Sequence, residues 1–307
     1  MRRPEDALYT TPEGYTTVDV VRNVLGPRID AIRNGTWTNL PWPWATLTDR
    51  ARSLMPGTIT VMCGDPGATK SLLLLSAMYF WHCAGTFVAL MALEGGPELH
   101  LQRLFAMLVH SWDVLDPKWG RNNSIALQAM YADVASEIDS FAKRLSSAPP
   151  GQLRYKILLE WIEKQLDGGA KIVGIDPITF VATGESRQVE DLAFISSAAK
   201  LIEEYGARLI LVTHPRGNAR KSPGMQDMAG GMSFSRHTQT VLWLASGEKN
   251  VSIKTAMGPQ RMKINRMLRI LKCTNGPGQG DRIGFILGKE VEFAEQGLIE
   301  TEHKFEG

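Results

Sequence analysis

Residues 57 to 63, GTITVMC, form a short apolar run that passes straight into the glycine-rich turn GDPGATKS (64 to 71), whose last residues begin the helix-length apolar segment KSLLLLSAMYFWHC. This strand–turn–helix order recurs downstream. TFVALMAL reads as the next strand and PELHLQRLFAMLV as its helix; YKILLEWIEKQL and AKIVGID follow, then VEDLAFISSAAKLIEEYG and ARLILVTH. Apolar strands of this length have no polar face, so both sides of the sheet must be covered. Alternation with helices covers them, which predicts an α/β fold with a doubly wound, mainly parallel sheet and helices on both faces. Further strands are expected at TVLWLAS, RMLRILKCT and RIGFIL, and a helix at ALQAMYADVASEIDSFAKRL within the mixed stretch 113 to 150.

The N-terminal fifty residues have a different texture. TTVDVVRNVLGPRIDAIRNG (16 to 35) has helical spacing in Val18, Val21, Val24, Leu25, Ile29 and Ile32, is interrupted by Pro27 and stops at Gly35. One kinked helix or two short ones fit that pattern. TWTNLPWPWATLTD (36 to 49) contains two prolines, which argue against a regular helix or central strand. Its three tryptophans suit either a cap on its own domain or a linker docked on a neighbouring subunit. The expected organisation is an arm with a subunit-docking helix at 1–50, a RecA-like ATPase domain at 51–295 and a tail at 296–307.

Composition removes several classes. Apolar residues make up 44% and charged residues 21% of the 307, as in an ordinary globular protein. A formal net charge of +2 is too small to imply a polyanion partner, so any such case must rest on local clusters. Cys63, Cys83 and Cys273 are scattered and odd in number, matching neither a disulfide framework nor a metal spacing; this favours a reducing compartment. No apolar run approaches about 18 residues, and the start lacks a signal-peptide core. A soluble, cytoplasmic protein with no membrane partner is expected.

GDPGATKS nearly matches the phosphate-binding pattern G-x-x-x-x-G-K-[ST], with Thr69 in place of the second glycine. Gly64 and Gly67 let backbone N–H groups face a phosphate, and Asp65, Pro66, Ala68 and Thr69 complete the loop. A helix opening at Lys70 adds the positive end of its dipole. Lys70 would reach the β- and γ-phosphates of ATP, and Ser71 would offer a hydroxyl to Mg²⁺. At Thr69 a Cβ crowds the loop, while the hydroxyl is a possible phosphate donor. Hydrolysis also needs a metal-holding carboxylate and a base. Asp176 ends the run KIVGID and suits Mg²⁺; the alternative is a cap on the turn DPIT. Glu94, in LMALEGG, is the candidate general base, because ligands bind off the carboxyl ends of such strands; the alternative is a solvated loop glutamate. His214, in LILVTHPRG, is a γ-phosphate sensor or a structural histidine. His82, His100 and His110 lie in helical segments without metal-ligand spacing, and no Ser-His-Asp arrangement can be defended.

Arg216, Arg220 and Lys221 lie in HPRGNARKSPGMQDMAGG (214 to 231), just beyond that strand. They would contact a phosphate backbone or form a solvated loop. A second basic set, Lys263, Arg266, Arg269 and Lys272, spans KINRMLRILK, and part of it could reach a neighbouring subunit's nucleotide.

With these pieces in order, the chain resembles the RecA-type P-loop ATPase core of DnaB-like and Twinkle-like replicative helicases. The matching elements are GDPGATKS, ALEGG, KIVGIDPITF, LVTHPRG, DMAGGMSFSRHTQTVLWL and LKCTNGPGQGDRIGF, covering about residues 50 to 290. The resemblance implies an ATP- and Mg²⁺-dependent DNA helicase, a homo-oligomer in a hexameric ring around single-stranded DNA, in a phage- or plasmid-like replication system. It gives Lys70 and Ser71 to phosphate and Mg²⁺, Asp176 to the metal, Glu94 to base catalysis and His214 to sensing. Arg216, Arg220 and Lys221 would face DNA, and residues 16 to 35 match the helix that docks on the adjacent subunit. Thr274 stands where the family carries its arginine finger; Lys272 matches the companion lysine, and Arg269 or Arg282 would have to substitute. The first fifty residues leave no room for a primase or DnaB-type N-terminal domain, so a stand-alone motor core is expected, with a separate primase or loader as a further partner. Two other classes remain. One is a RecA-fold ATPase for recombination or annealing that binds DNA without unwinding it. The other is a nucleotide-gated loader or assembly protein with little turnover.

Overall fold

The structure is a computed structural model describing residues 25–149, 151–184, 186–217 and 223–300. The chain divides into two compact units, Met1–Leu40 and Pro41–Gly307.

The described part of the first unit is built on helix α1, Gly26–Arg33. Pro27 occupies its first turn, where a missing N–H costs nothing, so the proline opens the helix instead of kinking it. Leu25, Ile29 and Ile32 form an exposed apolar stripe. The Arg28 guanidinium lies 4.5 Å over the Trp37 ring. Residues 16 to 24 lie outside the described residues.

The second unit is built on a 9-stranded sheet. In chain order its elements are α2 (Ala45–Ala51), β1 (Thr58–Gly64), α3 (Lys70–Cys83), β2 (Val88–Ala92), α4 (Gly96–Leu108), α5 (Pro117–Asn122), α6 (Ser124–Ala142) and β3 (Leu145–Ser147). There follow α7 (Tyr155–Asp167), β4 (Ile172–Asp176), α8 (Arg187–Glu204), β5 (Arg208–Val212), α9 (Gly231–His237), β6 (Thr240–Thr255), β7 (Gly258–Cys273), β8 (Arg282–Leu287) and β9 (Phe293–Leu298).

The sheet order is β3-β2-β4-β5-β1-β6-β7-β8-β9. Strands β3 through β6 in that order run parallel, and β7, β8 and β9 add antiparallel neighbours. Every residue of β1, β2, β4 and β5 is buried, as strands covered on both faces require. One face packs against α7 and α8 through Leu158, Ile162, Phe194, Ile195 and Ile202. On the other, Gly174 lies under Leu74 and Met78 of α3, with no room for a larger side chain. The predicted doubly wound, mainly parallel α/β fold is the fold observed.

Sequence and structure part in three places. Strands expected at 240–246 and 266–274 are the inner ends of a single hairpin whose arms, β6 and β7, are each 16 residues long. Its outer half alternates between exposed and half-buried residues and so has no apolar run to signal a strand. The polar strands β3 and β9 were not expected, because edge strands need little apolar content. Third, the last residues of the 36–49 segment open α2, since both prolines precede it.

Trp42 and Trp44, 2% and 5% exposed, belong to the second unit and cap its edge. Trp42 Nε1 donates to Ser53 Oγ (2.8 Å), Trp44 Nε1 to the Phe293 carbonyl (2.9 Å) and Trp81 Nε1 to the Pro41 carbonyl (2.5 Å).

Candidate functional site

The sheet order reverses around β1, whose neighbours are β5 and β6. Such a switch leaves a crevice off the carboxyl ends of the strands. The turn Gly64–Thr69 leaves β1 there, Glu94 follows β2, Asp176 ends β4 and His214 follows β5. A cleft of about 470 Å³ lies among Pro66, Gly67, Thr69, Lys70, Ser71, Glu94, Arg103, His214, Pro215 and Gly217. A larger cavity, about 590 Å³, lies elsewhere, at Trp44, Tyr79, Met107 and Phe293, and contains none of the residues singled out from the sequence.

The loop is held from several sides. Gly64 passes so close to β6 that a Cβ would meet the Leu244 carbonyl at 2.2 Å, which excludes any other residue. The Asp65 carboxylate faces away from any phosphate and accepts from Trp243 Nε1 (3.1 Å) and the Ser246 amide (3.2 Å). Thr69 sits in the left-handed region, φ 69 and ψ 36, directly before α3. A glycine would adopt that conformation freely; here the threonine hydroxyl donates to the Ala68 carbonyl.

Lys70 is 8% exposed, and its Nζ donates to the carbonyls of Gly64 (3.0 Å) and Asp65 (3.2 Å). Burial pushes its pKa down from the ordinary 10.5; Cys63, Asp176, Asp65 and Glu94 pull the other way. Burial likewise raises the neighbouring Cys63 thiol to about 12, so it stays protonated.

Asp176 is 1% exposed. Its carbonyl accepts from the Leu93 amide (2.7 Å) and the Glu94 amide (3.4 Å), which joins the β4 tip to the segment bearing Glu94. Its Oδ2 lies 3.2 Å from Nε2 of His100, while Oδ1 is buried without any hydrogen-bond partner. Glu94 Oε2 lies 3.5 Å from His214 Nε2, and both side chains are partly open to the cleft. The other ring nitrogen of His214 is 3.2 Å from Thr179 Oγ1. Two carboxylates therefore share one cleft in different settings, Asp176 buried and Glu94 exposed.

A magnesium ion arriving with a nucleotide fits this donor set. Hard oxygen ligands suit it, and a buried carboxylate oxygen with no partner beside the Ser71 end of the loop is what such a site leaves open.

The basic residues divide. Arg216 lies on the surface leading away from the cleft, with its amide on the Asp227 carbonyl (2.6 Å) and its guanidinium over Gly231. It lines a hollow of about 370 Å³ with Gln188, Gln226, Ser233 and Arg236. Arg220 and Lys221 lie outside the described residues. Lys272 Nζ donates to the carbonyls of Ser235 and Thr238, both at 2.6 Å, and so binds the end of α9 in its own chain. Arg269 and Arg282 stand opposite one another on β7 and β8, and Arg266 reaches the phosphate loop of its own chain.

Sequence reasoning missed two residues of the site. His100, set aside for lack of metal-ligand spacing, is buried against Asp176, and Arg103 lines the cleft. Their signal was a spacing of three on the helix that follows Glu94, which points both toward the same side.

No protein-family model matches the sequence, and a search of curated proteins finds no match. Solved structures do match. The ATPase domain of a helicase aligns with a TM-score of 0.66 at 14% identity, over 89% of this chain and 98% of that one. A DnaB-like replicative helicase, described together with its interactions with primase, aligns with a TM-score of 0.68 at 14% identity; 91% of this chain covers 66% of that one. The RadB recombinase aligns less well, with a TM-score of 0.51 at 15% identity over 79% and 90%. The second unit has the RecA-like fold of the ATPase domains of DnaB-like replicative helicases.

Proposed function

We propose that the chain is an ATP-driven, ring-forming translocase or helicase that acts on single-stranded DNA in replication. The observation that carries this reading is the meeting of Lys70, Ser71, Glu94 and His214 in one cleft at the strand tips, with Asp176 at the adjoining tip of β4.

Backbone N–H groups of the turn and the start of α3 would hold the β- and γ-phosphates, with Lys70 leaving its two carbonyl partners to neutralise their charge. Ser71 and the open Oδ1 of Asp176 would hold Mg²⁺, which when bound draws charge from the phosphate oxygens. Glu94, on the exposed side, is placed to take a proton from the attacking water. His214 touches Glu94, so a change in what His214 contacts at the γ-phosphate reaches the base directly. Arg216 follows His214 by two residues and opens onto the hollow with Arg236, which offers DNA phosphates a route to the same strand tip. The exposed stripe Leu25, Ile29 and Ile32 on α1 suits docking on a neighbouring subunit, and Arg282, exposed on β8, is the candidate for reaching that subunit's nucleotide. A separate primase or loader would complete the system.

The test is strand displacement on a forked DNA with ATP and Mg²⁺. Unwinding by the wild type and none by Lys70→Ala supports the reading; a folded, DNA-bound ring with neither turnover nor displacement removes it. Thr274, whose amide donates to the Gln239 carbonyl where an arginine finger is expected, favours the second reading of an ATPase that binds DNA without unwinding. Electron microscopy with ATP and DNA separates closed rings from open filaments.

A further inference from the structure

His100 and Asp176 are each 1% exposed and make a direct side-chain contact, Nε2 to Oδ2 at 3.2 Å. His100 lies one turn into α4, where Nδ1 also contacts the Gly96 carbonyl at 3.2 Å. The ring is thus held at both nitrogens, between the start of α4 and the tip of β4. Segment 93–100 touches Asp176 at both ends. Leu93 and Glu94 give their amides to the Asp176 carbonyl, and His100 reaches the carboxylate.

Holding one carboxylate oxygen leaves the other as the only free acceptor. Oδ1 is that oxygen, buried and without a partner. A contact that served packing alone would be expected to satisfy the buried carboxylate, because an unpaired buried acceptor is costly. We propose that His100 is a positioning residue. It fixes the Asp176 side chain through Oδ2, so that Oδ1 faces the metal of a bound nucleotide, and it ties the Glu94 segment to that carboxylate.

This inference rests on the nucleotide-site reading and adds a residue that reading does not need. Groups that orient a metal ligand from behind change metal affinity by about 10- to 100-fold when removed. Loss of the contact should therefore weaken the metal-dependent part of nucleotide binding and spare the metal-independent part.

The experiment uses the full chain and a fluorescent, non-hydrolysable ATP analogue, titrated with MgCl₂ and, separately, in EDTA. His100→Leu removes the donor, whereas His100→Gln keeps an N–H near the position of Nε2. Thermal melts establish that each variant is folded. We expect His100→Leu to raise the half-saturating Mg²⁺ concentration about tenfold. Its binding in EDTA should stay within about twofold, and His100→Gln should restore most of the Mg²⁺ response. If His100→Leu does not fold, His100→Gln decides: a Mg²⁺ response near that of the wild type supports the assignment, and loss of the response with EDTA binding intact overturns it. An unchanged Mg²⁺ response in folded His100→Leu, or equal losses with and without metal, overturns the role of His100 while leaving the nucleotide site standing. Wild-type protein that binds no analogue under either condition overturns both.

Discussion

Arg266 holds Thr69 from behind: its Nε lies 3.1 Å from the Ala68 carbonyl and 3.3 Å from the Thr69 hydroxyl. The arginine reaches across from β7 to the one loop position where the usual phosphate-binding pattern has glycine. Thr69 carries a left-handed backbone that costs a β-branched residue about 1–2 kcal/mol. Its hydroxyl and the Ala68 carbonyl give the guanidinium two acceptors in return. Burial lowers the Arg266 pKa.

Thr69→Gly relieves the backbone cost but gives up about 0.5–1 kcal/mol through a more flexible unfolded chain. Stability should change by no more than about 1 kcal/mol, with nucleotide binding retained. Arg266→Ala should weaken nucleotide binding several-fold, and the two substitutions should be non-additive, coupled by about 0.5–3 kcal/mol as for groups in direct contact. A double-mutant cycle read by nucleotide titration and denaturant melts measures this, and strictly additive losses would contradict the clamp.

Lys70 gives a pH dependence of known sign. Its folded-state pKa is lowered from 10.5 by burial. Below the lowered value folded and unfolded chains are protonated alike, and the full cost of the buried charge is present. Between that value and 10.5 the folded form binds fewer protons, so this group makes stability rise with pH. Nucleotide affinity runs the other way, since the phosphates need the ammonium. Affinity of the wild type should fall as pH rises through that window below 10.5, and Lys70→Arg should flatten the fall even if its affinity is lower throughout.

Trp44 should behave as core and not as arm. It is 5% exposed, bonded to the Phe293 carbonyl, and set edge-on to Phe285 at 5.5 Å. Trp44→Ala should cost about 3–5 kcal/mol in urea unfolding. Trp37→Ala, in the other unit, should leave the unfolding of residues 41–307 nearly unchanged.

Most of the sheet could be read from the sequence because its parallel strands are uniformly apolar. TITVMCG, VALMA, IVGID and RLILV have no other stable home than a sheet covered on both faces. Glu94, Asp176 and His214 could be read for a related reason: polar residues at the ends of such runs must fall at strand tips. The outer half of the β6–β7 hairpin was illegible, since half-exposed residues carry no periodic signal. His100 escaped notice because its partner is 76 residues away, on the far side of a strand pairing that only the fold creates. The sequence pattern sends Arg266 toward a neighbour's nucleotide, whereas the β1–β6–β7 order brings it over its own loop.

The central claim is that this cleft hydrolyses ATP in response to single-stranded DNA. Steady-state ATP turnover of the wild type, Lys70→Ala and Glu94→Gln, with and without single-stranded DNA, tests it most directly. The account predicts turnover stimulated several-fold by DNA, with at least a 100-fold loss in either variant, about the 10²–10⁴-fold contribution of a positioned base. Nucleotide binding should persist in Glu94→Gln. Binding of ATP and DNA by the wild type with no turnover above that of Lys70→Ala would contradict it.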